Sequence, residues 1–275
     1  MTFCIAQISD THLSGDKPFF VDSFSRVGEA LRRDRPDLVL NSGDISLDGA
    51  TRESDLAAAR ALHDGVGLPL RFLPGNHDVG DSQESPSHGE GRIDGARRAR
   101  YLAHFGEDWW SVDVPGWRVL GINAQLLASD LAAAEAQESA ISAAASDIDG
   151  RQLALFLHKP MFDRDPRETE VTGRFVNPAP RRSLMAALGR VTPAIVACGH
   201  VHQFRESWIE GVHHVWAPST AFVIPDARQP VYGIKDVGYV EHRLEADGRH
   251  ESRFVQVPGL RLLNIADFPG AYGLP

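Results

Sequence analysis

Leu73-Pro74-Gly75-Asn76-His77-Asp78 is the stretch on which the fold turns. It closes a short apolar run, 68–73, that reads as a buried strand. The chain then breaks at Pro-Gly and presents an amide, an imidazole and a carboxylate in consecutive positions. Such a triplet is either a reaction site or turn chemistry, and the other strand ends decide between the two. The run 3–8 ends at Ser9-Asp10-Thr11-His12, and 38–40 ends at Asn41-Ser42-Gly43-Asp44. The run 153–157 ends at His158, and 195–198 ends at Gly199-His200-Val201-His202. Five strand-like runs therefore stop on metal-capable side chains.

The intervening pattern is helical. Residues 22–33 carry Phe24, Val27, Ala30 and Leu31 on one stripe, and about 54–63 carry Leu56, Ala59 and Leu62. Strand, helix, strand, helix, strand over the first 80 residues implies parallel strands with right-handed crossovers. Ligand sites in such sheets lie beyond the carboxyl ends of the strands. Residues 80–95 are rich in Gly, Ser, Asp and Glu and read as a surface excursion, followed by a short helix at 97–105. Residues 109–114 and 117–122 flank Pro115-Gly116 as a hairpin; 131–145 is an Ala-rich helix, and 182–188 a brief one. Hairpin signals at Glu210-Gly211 and Ala246-Asp247-Gly248 mark antiparallel β structure, and the tail after Pro258 reads as a surface strap. The expectation is one domain, 1–275, with an inserted cap at about 80–112 and an antiparallel C-terminal part at about 204–257.

Composition narrows the function. A chain of 275 residues with 43% hydrophobic and 24% charged content can bury a sizeable core. A formal net charge of −9 argues against nucleic-acid polymers and anionic membranes as partners, and bound cations would offset part of it. The two cysteines, Cys4 and Cys198, sit in strand-like runs and read as reduced core thiols. No basic-then-apolar leader and no apolar window of spanning length occur, so the expected location is cytoplasmic.

The strand-end set is Asp10, His12, Asp44, Asn76, His77, His158, His200 and His202. Imidazole, carboxylate and amide without thiolate suit Zn, Mn or Fe rather than Ca or Mg. Asp44, with neighbours on both sides, is the natural bridge between two ions.

In order along the chain, Asp10-Thr11-His12, Gly43-Asp44, Gly75-Asn76-His77-Asp78, His158 and Gly199-His200-Val201-His202 match D-x-H, G-D, G-N-H-[DE], H and G-H-x-H. The chain thereby resembles the calcineurin-like metallophosphoesterase superfamily over residues of about 3–220. The resemblance implies an α/β fold of two packed mixed β-sheets flanked by helices. It implies one metal site of Asp10, His12, Asp44 and His202, and a second of Asp44, Asn76, His158 and His200. His77 would contact the phosphate or leaving-group oxygen, with Asp78 orienting it. Two transition-metal ions (Mn, Fe or Zn) roughly 3.5–4 Å apart would hold a bridging hydroxide that attacks phosphorus in line.

Within the superfamily the short motif spacings and Pro218-Ser219-Thr220 resemble the compact bacterial phosphodiesterases, which include cyclic-nucleotide and glycerophosphodiester hydrolases. The expected substrate is a small phosphodiester, cyclic nucleotides first, with a phosphomonoesterase or nucleotide pyrophosphatase as the alternative. A non-catalytic scaffold would have lost ligands, and here every expected ligand is present. The cap and the C-terminal β region are candidate dimer surfaces. Arg92, Arg97, Arg98 and Arg100 read as a solvated, acid-paired helix face, with contact of one of them to a substrate's negative charge as the alternative, and His88 as a surface residue. Trp109, Trp110 and Trp117 read as hairpin core, and His213, His214 and His242 as structural.

Overall fold

The structure, a computed structural model, describes residues 1–82 and 91–272. The first sheet contains β1 (Thr2–Ile8), β2 (Leu38–Asn41) and β3 (Leu70–Phe72), which run parallel as the strand–helix alternation requires. Helix α1 (Val21–Asp34) joins β1 to β2, and α2 (Glu53–Asp64) joins β2 to β3. Two late strands, β10 (Tyr239–Glu245) and β11 (His250–Val255), complete this sheet in the order β11-β10-β1-β2-β3, with β10 antiparallel to β1.

The second sheet is β4-β5-β6-β7-β9-β8. It is built from β4 (Trp110–Val114), β5 (Trp117–Gly121), β6 (Gln152–Phe156), β7 (Ile195–Cys198), β8 (Arg205–Ile209) and β9 (Val212–Trp216). β5, β6, β7 and β9 are parallel, and the two hairpin partners β4 and β8 form antiparallel edges. The chain thus has two mixed sheets, flanked by helices.

Period-two alternation sorts each strand between two cores. Ile5, Leu38, Leu40, Val240, Ala154, Phe156, Ile195 and Ala197 pack between the sheets. Ala6, Ile8 and Val39 face outwards onto Phe24, Val27, Leu31, Leu56 and Ala59 of α1 and α2. Leu153, Leu155, Val196 and Cys198 face outwards onto Ile141 of α5 (Ala132–Ser146) and Leu184 and Leu188 of α6 (Pro178–Leu188). Both faces of each central strand are covered, which is why these runs are apolar throughout rather than alternating. Gln7 is the polar tie across the interior: its amide donates to Ser42 Oγ (2.9 Å) and Cys198 O (3.1 Å), and its carbonyl meets His242 Nε2 (2.9 Å).

Several boundaries differ from the sequence reading for local reasons. α6 starts four residues earlier than expected, because Pro178 and Pro180 occupy the first turn, where a missing N–H costs nothing. The last strand, expected at 253–257, is β11 and starts at His250, since the Glu245–Arg249 turn is tight and Gly248 adopts φ 88°. In the expected cap, residues 83–90, with His88, lie outside the described residues. The single turn α3 (Asn76–Val79) precedes it, and α4 (Gly95–Phe105) follows, sending Tyr101 and Phe105 into the core under the first sheet. Arg98 pairs bidentately with Asp108 (2.8 Å to each oxygen), and Arg100 donates to Ala50 O (2.6 Å). Trp110 and Trp117 are buried and donate to Phe72 O and Glu245 O.

The C-terminal tail runs over the surface as a strap, most of residues 258–272 being exposed or half-buried, but it is anchored: Ile265 and Ala271 are buried with Phe20, Leu47, Ala221 and Phe222 in a small core of their own.

Candidate metal centre

The strand ends of both sheets meet at one rim. The loops there extend the ladder: Asp10 N–H donates to Gly43 O (2.9 Å), His12 N–H to Asp44 O (3.0 Å) and Gly199 N–H to His158 O (2.9 Å). Asp10, His12, Asp44, His200 and His202 all have positive φ, between 45° and 70°. Non-glycine residues reach that region at a cost of about 1–3 kcal/mol each. This backbone turns each side chain out of its strand direction, so Asp10 and His12 join one group of ligand atoms and His200 and His202 line the same cavity. Gly75 and Gly199 allow the loops to close, since a Cβ on either would lie closer than 3.0 Å to Asp44 or to Ser9 and Asp10.

Three overlapping groups of ligand atoms result: Asp10, His12 and His202; His12, Asp44 and His77; and Asp44, His158 and His200. Asp44 Oδ2 lies 3.3 Å from His158 Nε2 and 4.0 Å from both His12 Nε2 and His77 Nε2. Asp10 Oδ1 lies 3.3 Å from His202 Nε2. Asn76, almost fully buried, lines the same cavity of about 640 Å³.

Backbone carbonyls set the histidine tautomers. His158 Nδ1 meets Ser42 O, His200 Nε2 meets Gly173 O, His202 Nδ1 meets Phe222 O and His77 Nδ1 meets Leu47 O, each at 3.0 Å. A carbonyl only accepts, so these nitrogens carry protons, and the opposite ones, when deprotonated, turn lone pairs inward. Inward nitrogens then face one another, His200 Nδ1 with His158 Nε2 at 3.1 Å and His12 Nε2 with His202 Nε2 at 3.3 Å. Asp10 Oδ1 and Asn76 Oδ1 are buried with no hydrogen-bond partner among the described residues. Converging lone pairs and orphaned oxygens are the donor set of a metal site, so these residues fit two cations.

Electrostatics agree. Burial, reinforced by neighbouring imidazoles, holds His12 and His200 well below the usual histidine range and hence neutral. Burial opposes the Asp44 charge, but His158, His77 and His12 override it and keep the carboxyl well below the carboxylate range. Burial likewise opposes charge on His158, yet Asp44 raises it to about 9, a proton with which a bound cation would compete.

Asp78 does not orient His77. Its carboxylate turns away and accepts from Ile45 N (3.1 Å), Ser46 N (2.9 Å), Ser46 Oγ (2.6 Å) and Gly75 N (2.9 Å). It thus clamps the loop after β2 to the loop after β3, and burial together with the nearby Asp44 charge raises it to about 6. Three further supports surround the site. Asn41 Oδ1 accepts from Gly43 N (3.1 Å), shaping the turn before Asp44. Ser219 Oγ donates to Asp10 O (2.8 Å), and Thr220 N–H donates to Ser9 O (3.0 Å).

The sequence reading missed the cavity walls: Lys17, Arg174, Phe222, Ile224, Arg228 and Tyr272. None sits at a strand end or follows a periodic pattern. The expected Arg92–Arg100 cluster contributes no cavity wall among the described residues.

The sequence profile of the calcineurin-like phosphoesterase family matches residues 4–204, and the chain belongs to that family. Across 268 residues it is 24% identical to the 3',5'-cyclic adenosine monophosphate phosphodiesterase CpdA of Pseudomonas aeruginosa, covering 92% of this chain and 89% of that protein. Its fold is similar to a dimetal phosphatase of Danio rerio, with TM-score 0.64, 14% identity and coverage of 93% and 99% of the two chains. It is also similar to GAP50, the anchor in the inner membrane complex of Plasmodium, with TM-score 0.65, 12% identity and coverage of 95% and 86%. Among the described residues no helix is long and apolar enough to cross a membrane.

Proposed function

We propose that the protein is a binuclear metal-dependent phosphodiesterase acting on small phosphodiesters, with cyclic nucleotides the first candidates. The observation that carries this reading is the sharing of Asp44 between ligand groups on either side of it. One ion would be held by Asp10, His12, Asp44 and His202, the other by Asp44, Asn76, His158 and His200. Bound there, transition-metal ions supply Lewis-acid polarisation of the phosphoryl group and a nucleophile at neutral pH. His77, its Nδ1 anchored on Leu47 O, directs Nε2 into the cavity, where as an imidazolium it would donate to a phosphoryl or leaving-group oxygen. Phe222, Ile224 and Ile265 offer an apolar wall for a nucleoside-sized group. The name of the Pseudomonas relative supports the cyclic-nucleotide choice.

A second reading, a phosphomonoesterase or nucleotide pyrophosphatase, draws on Lys17, Arg174 and Arg228 in the cavity wall, which suit a more highly charged substrate. Metal-reconstituted protein assayed with bis-p-nitrophenyl phosphate, p-nitrophenyl phosphate and cyclic nucleotides separates the two. Faster turnover of the diesters is expected, and preference for the monoester would overturn the choice.

A further inference from the structure

Of the five histidines around Asp44, four rest their outer nitrogen on a backbone carbonyl. His12 is the exception: its Nδ1 meets the Tyr272 hydroxyl at 2.8 Å, across 260 positions of sequence. We infer that Tyr272, delivered by the C-terminal segment, is the positioning residue for His12 and so completes the first metal site. The inference rests on the binuclear reading above.

The segment is built to deliver it. Val223 N–H donates to Leu263 O (2.9 Å), and Ile265 N–H donates to Val223 O (3.1 Å), which pins the tail to the loop after β9. Lys17 Nζ donates to Ala271 O at 3.0 Å, one residue before the tyrosine. The small core of Phe20, Leu47, Ala221, Phe222, Ile265 and Ala271 draws on the loops after β1 and β2, which carry Asp10, His12 and Asp44, and on the loop after β9. The Tyr272 ring then stands 5.0 Å from His77 and 5.9 Å from His12, centroid to centroid, and walls the cavity beside both.

The chemistry follows from the tautomer. With His12 Nε2 turned inward towards His202, the proton sits on Nδ1 and is donated to the tyrosine oxygen. That bond fixes the ring plane and strengthens the inward lone pair, the service that carbonyls give the other four histidines. Unlike a carbonyl, this acceptor belongs to a side chain and can be removed by substitution.

The test uses the full chain, stripped of metal and titrated with Mn²⁺ alone. Tyr272→Phe keeps the ring and loses the acceptor, so it is expected to bind Mn²⁺ about 10- to 100-fold more weakly. Its melting temperature without added metal should match the native chain. Tyr272→Ala should show the same weakening together with a raised KM for bis-p-nitrophenyl phosphate, because the wall is gone as well. Native Mn²⁺ affinity in Tyr272→Phe overturns the inference. If the native chain binds Mn²⁺ but cleaves no phosphoester, the proposed activity fails while the affinity ratio still judges Tyr272. A native chain that takes up no Mn²⁺, Fe²⁺ or Zn²⁺ overturns both.

Discussion

At the scale of single residues, the roles around Asp44 separate by what each side chain touches. Asp44 belongs to two of the ligand groups, so Asp44→Ala is expected to lose both ions by elemental analysis and at least about a thousandfold in kcat. His77 shares a group with Asp44, and its ring lines the cavity. His77→Ala should keep near-native metal content and lose about 10²–10³-fold in kcat; loss of both ions would reassign it as a ligand. The Asp78 carboxylate makes four hydrogen bonds, all as acceptor. In Asp78→Asn an amide donor would confront backbone N–H groups, at a cost of about 1–3 kcal/mol in urea denaturation. The adjacency of His77 and Asp78 suggested a dyad, but one helical turn points neighbouring side chains in different directions.

At the scale of elements, the site is a property of strand ends and the loops that extend them. β1, β2 and β3 of one sheet and β6 and β7 of the other each present their terminal polar residues at the common rim. Gly75 is where the loop after β3 meets Asp44, and a Cβ there would overlap both the carboxylate and the backbone nitrogen of Asp44. Gly75→Ala should therefore displace Asp44 and reduce metal content, read by elemental analysis, in a chain that retains native circular dichroism. The strands and most helices were legible because apolar periodicity is local. The start of α6 was not, since a proline reads as a break unless it is known to occupy the first turn.

At the scale of the whole molecule, the buried histidines outside the centre tie stability to pH. Burial pushes His63 down to about 4 and His242 down to about 3. Each is depressed below the unfolded value of about 6.5, so the unfolded chain binds more protons in the interval between. The stability they contribute is full above pH 6.5 and is lost progressively as pH falls towards 4. The gap between about 4 and about 6.5 for His63 is worth on the order of 3 kcal/mol over that window. Urea unfolding at pH 7 and pH 5 should show the decline, and His63→Gln should flatten it; a pH-independent midpoint would contradict it.

By itself the sequence determined the sheet strands, the parallel order of the first three, and all eight polar residues at the strand ends. Those signals are carried by neighbours two to four positions apart, where backbone geometry dictates facing. Tertiary structure alone decided that β10 and β11 return to the first sheet beside β1, that Asp78 clamps two loops rather than His77, and that Tyr272 reaches His12. A contact between residues 260 positions apart leaves no periodicity in either segment. It exists only because a small apolar cluster, assembled from distant loops, sets the tail against the rim.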